Sequence, residues 1–268
     1  MERFNGEEDD NVFQREKMTK KDNFTVSLLT LLGIFGMRES EDELIKGEKP
    51  PIDKNRPGEL KTATFSMGCF WGPDSLFGAK SGVINTKVGY AGGTKEKPTY
   101  HRLGDHTETV QVRYDPDQVS YNELIDTFWR GHNPTQSKST QYMSIIFFHN
   151  EEQEKIAKET KKKRQDETSG IIRTEIRPFS GFHLAEDYHQ KYHLSNHKKF
   201  YKAYKQIYPE IDGFIDSTAV TRANGYISGN GSVESKDDLE ELGLSQKGIE
   251  MLFDKWKSAG GEGACSLE

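Results

Sequence analysis

Cysteine is nearly absent from this chain: Cys69 and Cys265 are the only two in 268 residues. Two thiols cannot build the multi-bridge framework of a small secreted domain, and without a CxxC pair they do not suggest a zinc site. Basic charge is also in deficit. Lys and Arg number 37 against 43 Asp and Glu, for a net charge of -6, so neither a nucleic-acid backbone nor an anionic membrane is expected as the main partner. The one basic run, Lys161-Lys162-Lys163-Arg164, closes the acid-first pattern "NEEQEKIAKETKKKRQDE" and reads as a solvated helix end. Long apolar runs are missing as well. The stretch "FTVSLLTLLGIFG" at 24–36 falls short of the ~20 residues a membrane-spanning helix needs. If translation begins at Met18, that stretch reads as a secretory signal. With the acidic lead from Met1 it reads as an interaction helix, and a cytoplasmic location is expected.

What is present suffices for a folded body, because 33% of the residues are hydrophobic and 11% aromatic. Residues 1–57 read as a polar, disordered lead with the short apolar segment, ending in a linker marked by Pro50, Pro51 and Pro57 in "GEKPPIDKNRPGELK". A folded domain over 58–213 begins near Glu59, and 214–268 forms an extension. In the domain, "LKTATFS" reads as a strand, "WGPDSLFGAK" as a short helix, and "VINTKVGYAGG" and "TVQVRYD" as strands. "YNELIDTFWRGH" is a helix with Ser120 and Glu123 as its capping box. "MSIIFFHN" and "IIRTEIRP" are strands on either side of a charged helix. This order predicts an α+β fold: a two-layer α/β sandwich with a split βαβ, ferredoxin-like core and a mixed or antiparallel sheet. In the extension, "AVTRANGYISGNGS" reads as loop-rich and a helix is expected from Gln246 to Ser258.

Two patterns carry possible chemistry. His189, His193 and His197 recur every four residues and would share one face of a continuous helix. No paired carboxylate or cysteine stands nearby, so neither a metal nor any other cofactor is expected. Cys69, in "SMGCFWGPDSLF", falls where a strand hands over to a helix. There, free backbone N–H groups favour a thiolate, which makes Cys69 a candidate nucleophile; a buried structural thiol is the alternative. Gly68 and Gly72 would allow an exposed elbow, and Phe70 and Trp71 could wall an apolar pocket beside the sulfur.

The motifs "GCFWG", "VGYAGG", "PTYHRLGDHTETVQVRYDP", "FWRGHNPTQ", "STQYMSIIF" and "AEDYHQKY" follow one another between Thr64 and Tyr192. In that order they resemble the peptide methionine sulfoxide reductases of the A type. The resemblance implies reduction of methionine S-sulfoxide, protein-bound and free, in the repair of oxidised proteins. It further implies Cys69 as nucleophile, Glu108 as the acid that protonates the sulfoxide oxygen, and Tyr100 and Tyr142 as hydrogen-bond donors to that oxygen. Phe70 and Trp71 would receive the substrate's methyl group, with Gly68, Asp187, His189 and Tyr192 in support. Cys265, in "SAGGEGACSLE", resembles the glycine-rich carboxy-terminal cysteine of family members. By that likeness it would resolve a Cys69 sulfenic acid into a disulfide, reset by a thioredoxin-like donor. "NPTQSKSTQY" departs from the family in lacking the aspartate many members carry just before the "TQY" tyrosine. A monomer is expected. The alternative is a thiol-based redox sensor or methionine-binding module without turnover, which needs the two cysteines but no acid beside them.

Overall fold

The computed structural model describes residues 44–55 and 57–261. The apolar stretch 24–36, the start of the lead and Cys265 lie outside them. The order of elements is helix α1 (Pro51–Lys54), strand β1 (Lys61–Met67), α2 (Trp71–Gly78), β2 (Val83–Ala91), β3 (Thr107–Tyr114), α3 (Tyr121–Arg130), β4 (Ser144–Phe148) and α4 (Glu151–Glu167). It continues with β5 (Glu175–Pro178), β6 (Phe182–Leu184), α5 (Tyr192–Ser195), α6 (Lys198–Ile207), α7 (Ile211–Asp216), α8 (Thr218–Ile227) and α9 (Gln246–Ser258). The result is a mixed α+β fold on one sheet in the order β5-β4-β1-β3-β2-β6. Every neighbouring pair is antiparallel except β4 with β5.

The central strand β1 is buried on both faces from Ala63 to Met67, which is why "ATFSM" does not alternate in polarity as a half-exposed strand would. Phe65 on this strand stacks on Phe77 of α2 at 5.2 Å and on Phe128 of α3 at 5.3 Å. The capping box expected at α3 is present: Ser120 accepts from the Glu123 N–H while the Glu123 carboxylate accepts from the Ser120 N–H. A first core lies around these aromatics, and a second gathers Phe200, Tyr204, Phe214, Val220, Leu242 and Trp256.

That second core draws in segments the sequence reading set apart. Leu44 and Ile45 are buried in it, and the Asp53 carboxylate accepts from the Thr218 N–H and from the hydroxyls of Ser217 and Tyr208. These contacts extend the packed body upstream of Glu59, through the stretch expected to be a linker. The "AVTRANGYISGNGS" segment is helical rather than loop-rich from Thr218 to Ile227, capped by the Ser217 hydroxyl and buried along its whole length. Its glycine serves packing. A Cβ at Gly225 would lie 2.6 Å from that of Ala79, and one at Gly78 would lie 2.8 Å from the Thr221 carbonyl, so glycine on each helix lets α2 and α8 approach. Nor is the histidine segment one helix. It breaks into a 3-10 turn at Asp187–His189, a left-handed Lys191, and the short α5, so the three histidines share no helix face.

One buried ion pair binds these pieces together. The Lys191 ammonium lies 2.9 Å from Asp74 Oδ1, both side chains being almost wholly buried. It also donates to the carbonyl and hydroxyl of Thr86 on β2. Asp74 Oδ2 accepts from the Lys191 N–H and from Asn224 of α8. The pair therefore joins α2, β2, α8 and the turn before α5. Removing one partner leaves the other charge uncompensated in the interior, a loss of about 3–5 kcal/mol. Lys191→Met should lower unfolding free energy in urea by that amount, and Asp74→Leu in the same chain should recover part of it. A loss below about 1 kcal/mol would contradict this reading of the pair.

Candidate active site

The site grows from the end of β1. Gly68 has φ +106°, a conformation only glycine adopts readily, and it turns the chain so that Cys69 is exposed just ahead of α2. Gly72 has ordinary helical backbone and open space where a Cβ would go, so the site does not need glycine there. The Phe70 N–H donates to Glu108 Oε2 at 3.0 Å, and the Gln141 amide donates to Glu108 Oε1 at 2.8 Å. Glu108, near the start of β3, is 1% exposed. Burial pushes its carboxyl above the usual carboxylate range, and the donors from Gln141 and Phe70 pull back only in part.

Cys69 answers the sequence expectation in geometry but not in charge. It does stand at the helix start, where the Trp71 N–H favours the thiolate. Burial around the sulfur outweighs that N–H, and the Glu108 charge adds to burial, so the thiol is pushed up. Burial thus raises both the thiol and the carboxyl, and the Glu108 charge opposes ionisation of the thiol.

The two tyrosines complete the cluster. Tyr142 sits in the 3-10 turn Thr140–Tyr142 and is hydrogen-bonded to the Tyr100 side chain. Burial first, then Tyr100, Glu108 and Cys69, push its hydroxyl up to about 12, so it stays a donor at neutral pH. Tyr100 is held from behind, because its N–H donates to Glu186 Oε1 while the Tyr90 hydroxyl donates to Glu186 Oε2.

The aromatics play different parts. Phe70 is 1% exposed and packs on Tyr90 at 5.9 Å and His189 at 5.1 Å, whereas Trp71 is only partly buried. Trp71 is clamped on two sides: its ring stacks on Tyr192 at 3.6 Å, and its indole N–H donates to His189 Nδ1 at 3.2 Å. That bond leaves the proton of a neutral His189 on Nε2, which is buried with no protein partner among the described residues. Asp187, by contrast, is exposed, and its backbone carbonyl closes the 3-10 turn. Asp105 and His106 organise the preceding loop. The Asp105 carboxylate accepts from the N–H groups of Thr94 and Lys95, and His106 accepts from the Gly93 N–H and donates to the Lys95 carbonyl.

Cys69, Glu108, Tyr100 and Tyr142 therefore meet at one place, with Phe70, Trp71, His189 and Tyr192 packed around them. Sequence reasoning missed Gln141, whose amide is the side-chain donor on the acid. Its one signal was its place beside Tyr142 in "TQY". Among the described residues no group of three or more His, Cys, Asp or Glu could hold a metal ion, and no helix is long and apolar enough to cross a membrane.

Comparison with known proteins bears on the family of the chain. A family model described as peptide methionine sulfoxide reductase matches residues 61–221. The chain is 44% identical over 188 residues to a peptide methionine sulfoxide reductase of Drosophila melanogaster, covering 69% of this chain and 75% of that one. To the peptide methionine sulfoxide reductase MsrA of Methanosarcina acetivorans it is 42% identical over 172 residues, covering 59% and 90% of the two chains. Among solved structures, Mxr1 from Saccharomyces cerevisiae in reduced form is 31% identical with a TM-score of 0.48, over 59% of this chain and 90% of that one. With the family match running from β1 into α8, through Cys69, Glu108 and both tyrosines, the chain belongs to the peptide methionine sulfoxide reductases of the A type, oxidoreductases that act on methionine sulfoxide.

Proposed function

We propose that this chain reduces methionine S-sulfoxide, in proteins and as the free amino acid, with Cys69 as nucleophile and Glu108 as general acid. The observation that carries this reading is Glu108 itself: a carboxyl 1% exposed, hydrogen-bonded to the backbone of the residue after the cysteine. A sulfoxide is a poor electrophile until its oxygen is protonated, and an acid kept neutral by burial can supply that proton near neutral pH. A sensor without turnover has no use for such a group.

Cys69 sulfur attacks the substrate sulfur as Glu108 protonates the oxygen. An S–S bond forms as the S–O bond breaks, and the oxygen leaves as water with one proton from Glu108 and one from the thiol. A water then attacks the Cys69 sulfur, and the S–S bond breaks with its electron pair passing to the substrate sulfur. Methionine leaves, and Cys69 is left as a sulfenic acid with the released proton returned to Glu108. The hydroxyls of Tyr100 and Tyr142 hold the sulfoxide oxygen during attack, and Trp71 with the edge of Phe70 receives the methyl group. His189 and Tyr192 fix the Trp71 ring, and Gly68 shapes the turn that presents the sulfur. The Cys265 thiol then displaces water from the sulfenic sulfur to form a disulfide, which a thioredoxin-like dithiol reduces; tethering makes this faster than attack by a free thiol. The turnover cycle repairs oxidised proteins. The antiparallel run β4-β1-β3-β2 supports reading the catalytic core as a split βαβ sandwich.

Because the thiol must lose a proton and the carboxyl must keep one, the rate should rise with pH through the raised thiol pKa. It should fall as the carboxyl ionises, giving apparent values that belong to the pair. Cys69→Ser should abolish turnover. Glu108→Gln should lower the rate of methionine release by about 10²–10⁴. The same variant should move the iodoacetamide titration of Cys69 to lower pH, since it removes a negative charge that raises the thiol. An unchanged rate together with an unchanged thiol titration would refute the acid's role. Cys265→Ser should release about one equivalent of methionine without reductant and then stall with thioredoxin; sustained cycling would dismiss its resolving role.

A further inference from the structure

One charged side chain at the site has no part in the chemistry above. Gly68, Cys69, Lys138, Ser139 and Tyr142 line a cleft of about 380 Å³, and of these Lys138 alone is charged. Its ammonium rests against the residue before the nucleophile, so close that a Cβ at Gly68 would lie 3.0 Å from Nζ. Lys138 comes from the "NPTQSKSTQY" loop and is partly exposed. Unlike Lys87, which meets Asp216 at 2.9 Å, it makes no ion pair with a carboxylate of the described residues. It faces His132, which brings no negative charge: burial and the Lys138 charge push that imidazole down to about 4 against the bond to the Phe128 carbonyl. An ammonium without a carboxylate partner among the described residues, in the cleft that holds Cys69 of a chain of net charge -6, is a local reversal of the overall charge.

We propose that Lys138 is a specificity residue that pairs with a carboxylate on the substrate, close to the oxidised methionine. This inference rests on the reductase reading. A carboxylate can come from an Asp or Glu beside the methionine sulfoxide or from the α-carboxylate of the free amino acid. One sits on the oxidised residue and the other on its immediate neighbour, so an ammonium lining the same cleft as Cys69 can reach either. The pair stays partly wet, so its effect is a few-fold preference, about two- to fivefold in kcat/KM, weakening as salt is raised.

The test uses the full chain with thioredoxin and its reductase, on blocked peptides holding one methionine S-sulfoxide flanked by Asp, Asn or Lys. A second arm compares free methionine S-sulfoxide with its amide. Wild type should prefer Asp over Asn, or the free acid over the amide, and whichever arm shows the preference identifies the source of the carboxylate. Lys138→Met should bring that ratio to about one, Lys138→Arg should keep it, and Lys138→Glu should invert it toward the Lys-flanked peptide. The iodoacetamide titration of Cys69 should not move in Lys138→Met. Equal rates on every substrate in wild type would overturn the proposal. So would a Lys138→Met variant that slows all substrates alike and raises the thiol titration, because Lys138 would then act on the nucleophile. Turnover of no substrate by wild type would instead reject the reductase reading, and substrate recognition with it.

Discussion

Everything at the site hangs from the buried pair of Lys191 and Asp74. Asp74 sits in the first turn of the helix that follows Cys69, and Lys191 stands between the 3-10 turn that carries His189 and α5. Burying two charges is costly, and the cost is offset only because every lone pair and proton is met: by Thr86 on β2, by Asn224 on α8 and by the Lys191 backbone. Such a cluster has few alternative arrangements. It fixes the helix start against the turn, and with it Trp71 between His189 and Tyr192. The Trp71 ring is thereby placed with the help of an ion pair three residues further along the same helix.

The second constraint is electrostatic. Burial raises the proton affinity of Glu108 and of Cys69, and the Glu108 charge raises the thiol further. That suits a substrate whose oxygen has to be protonated as the sulfur is attacked. A site that kept the thiolate permanently would expose it to indiscriminate oxidation, whereas one that holds the sulfur as a thiol limits that exposure. The donors from Phe70 and Gln141 limit how far burial raises Glu108, keeping it able to give its proton away.

Much of the fold was legible because its signals are local. Alternation marked β3, the Ser120 and Glu123 box marked α3, and the charged periodicity of 151–167 marked α4. Helix α8 was not legible. Its glycine and short polar residues read as loop, and only burial against α2 and β2 makes the helix the favoured state. The segment at 44–54 was misread for a related reason. Its prolines suggested a linker, while the bonds of Asp53 to residues 208, 217 and 218 lie far away in sequence. At the site, Cys69, Glu108 and the tyrosines stood in recognisable motifs. Gln141 had only its place beside Tyr142, and Lys138 and the raised thiol had no sequence signal, since each depends on which side chains burial brings together.

The most direct test of the account is a single turnover of the full chain, without reductant, on resolved S and R methionine sulfoxide peptides, read by methionine released and by labelling of the Cys69 sulfenic acid in the Cys265→Ser background. The account predicts about one equivalent of methionine from the S peptide alone, matched by a sulfenic acid at Cys69. Release of methionine with Cys69 unmodified, or equal release from both epimers, would contradict it.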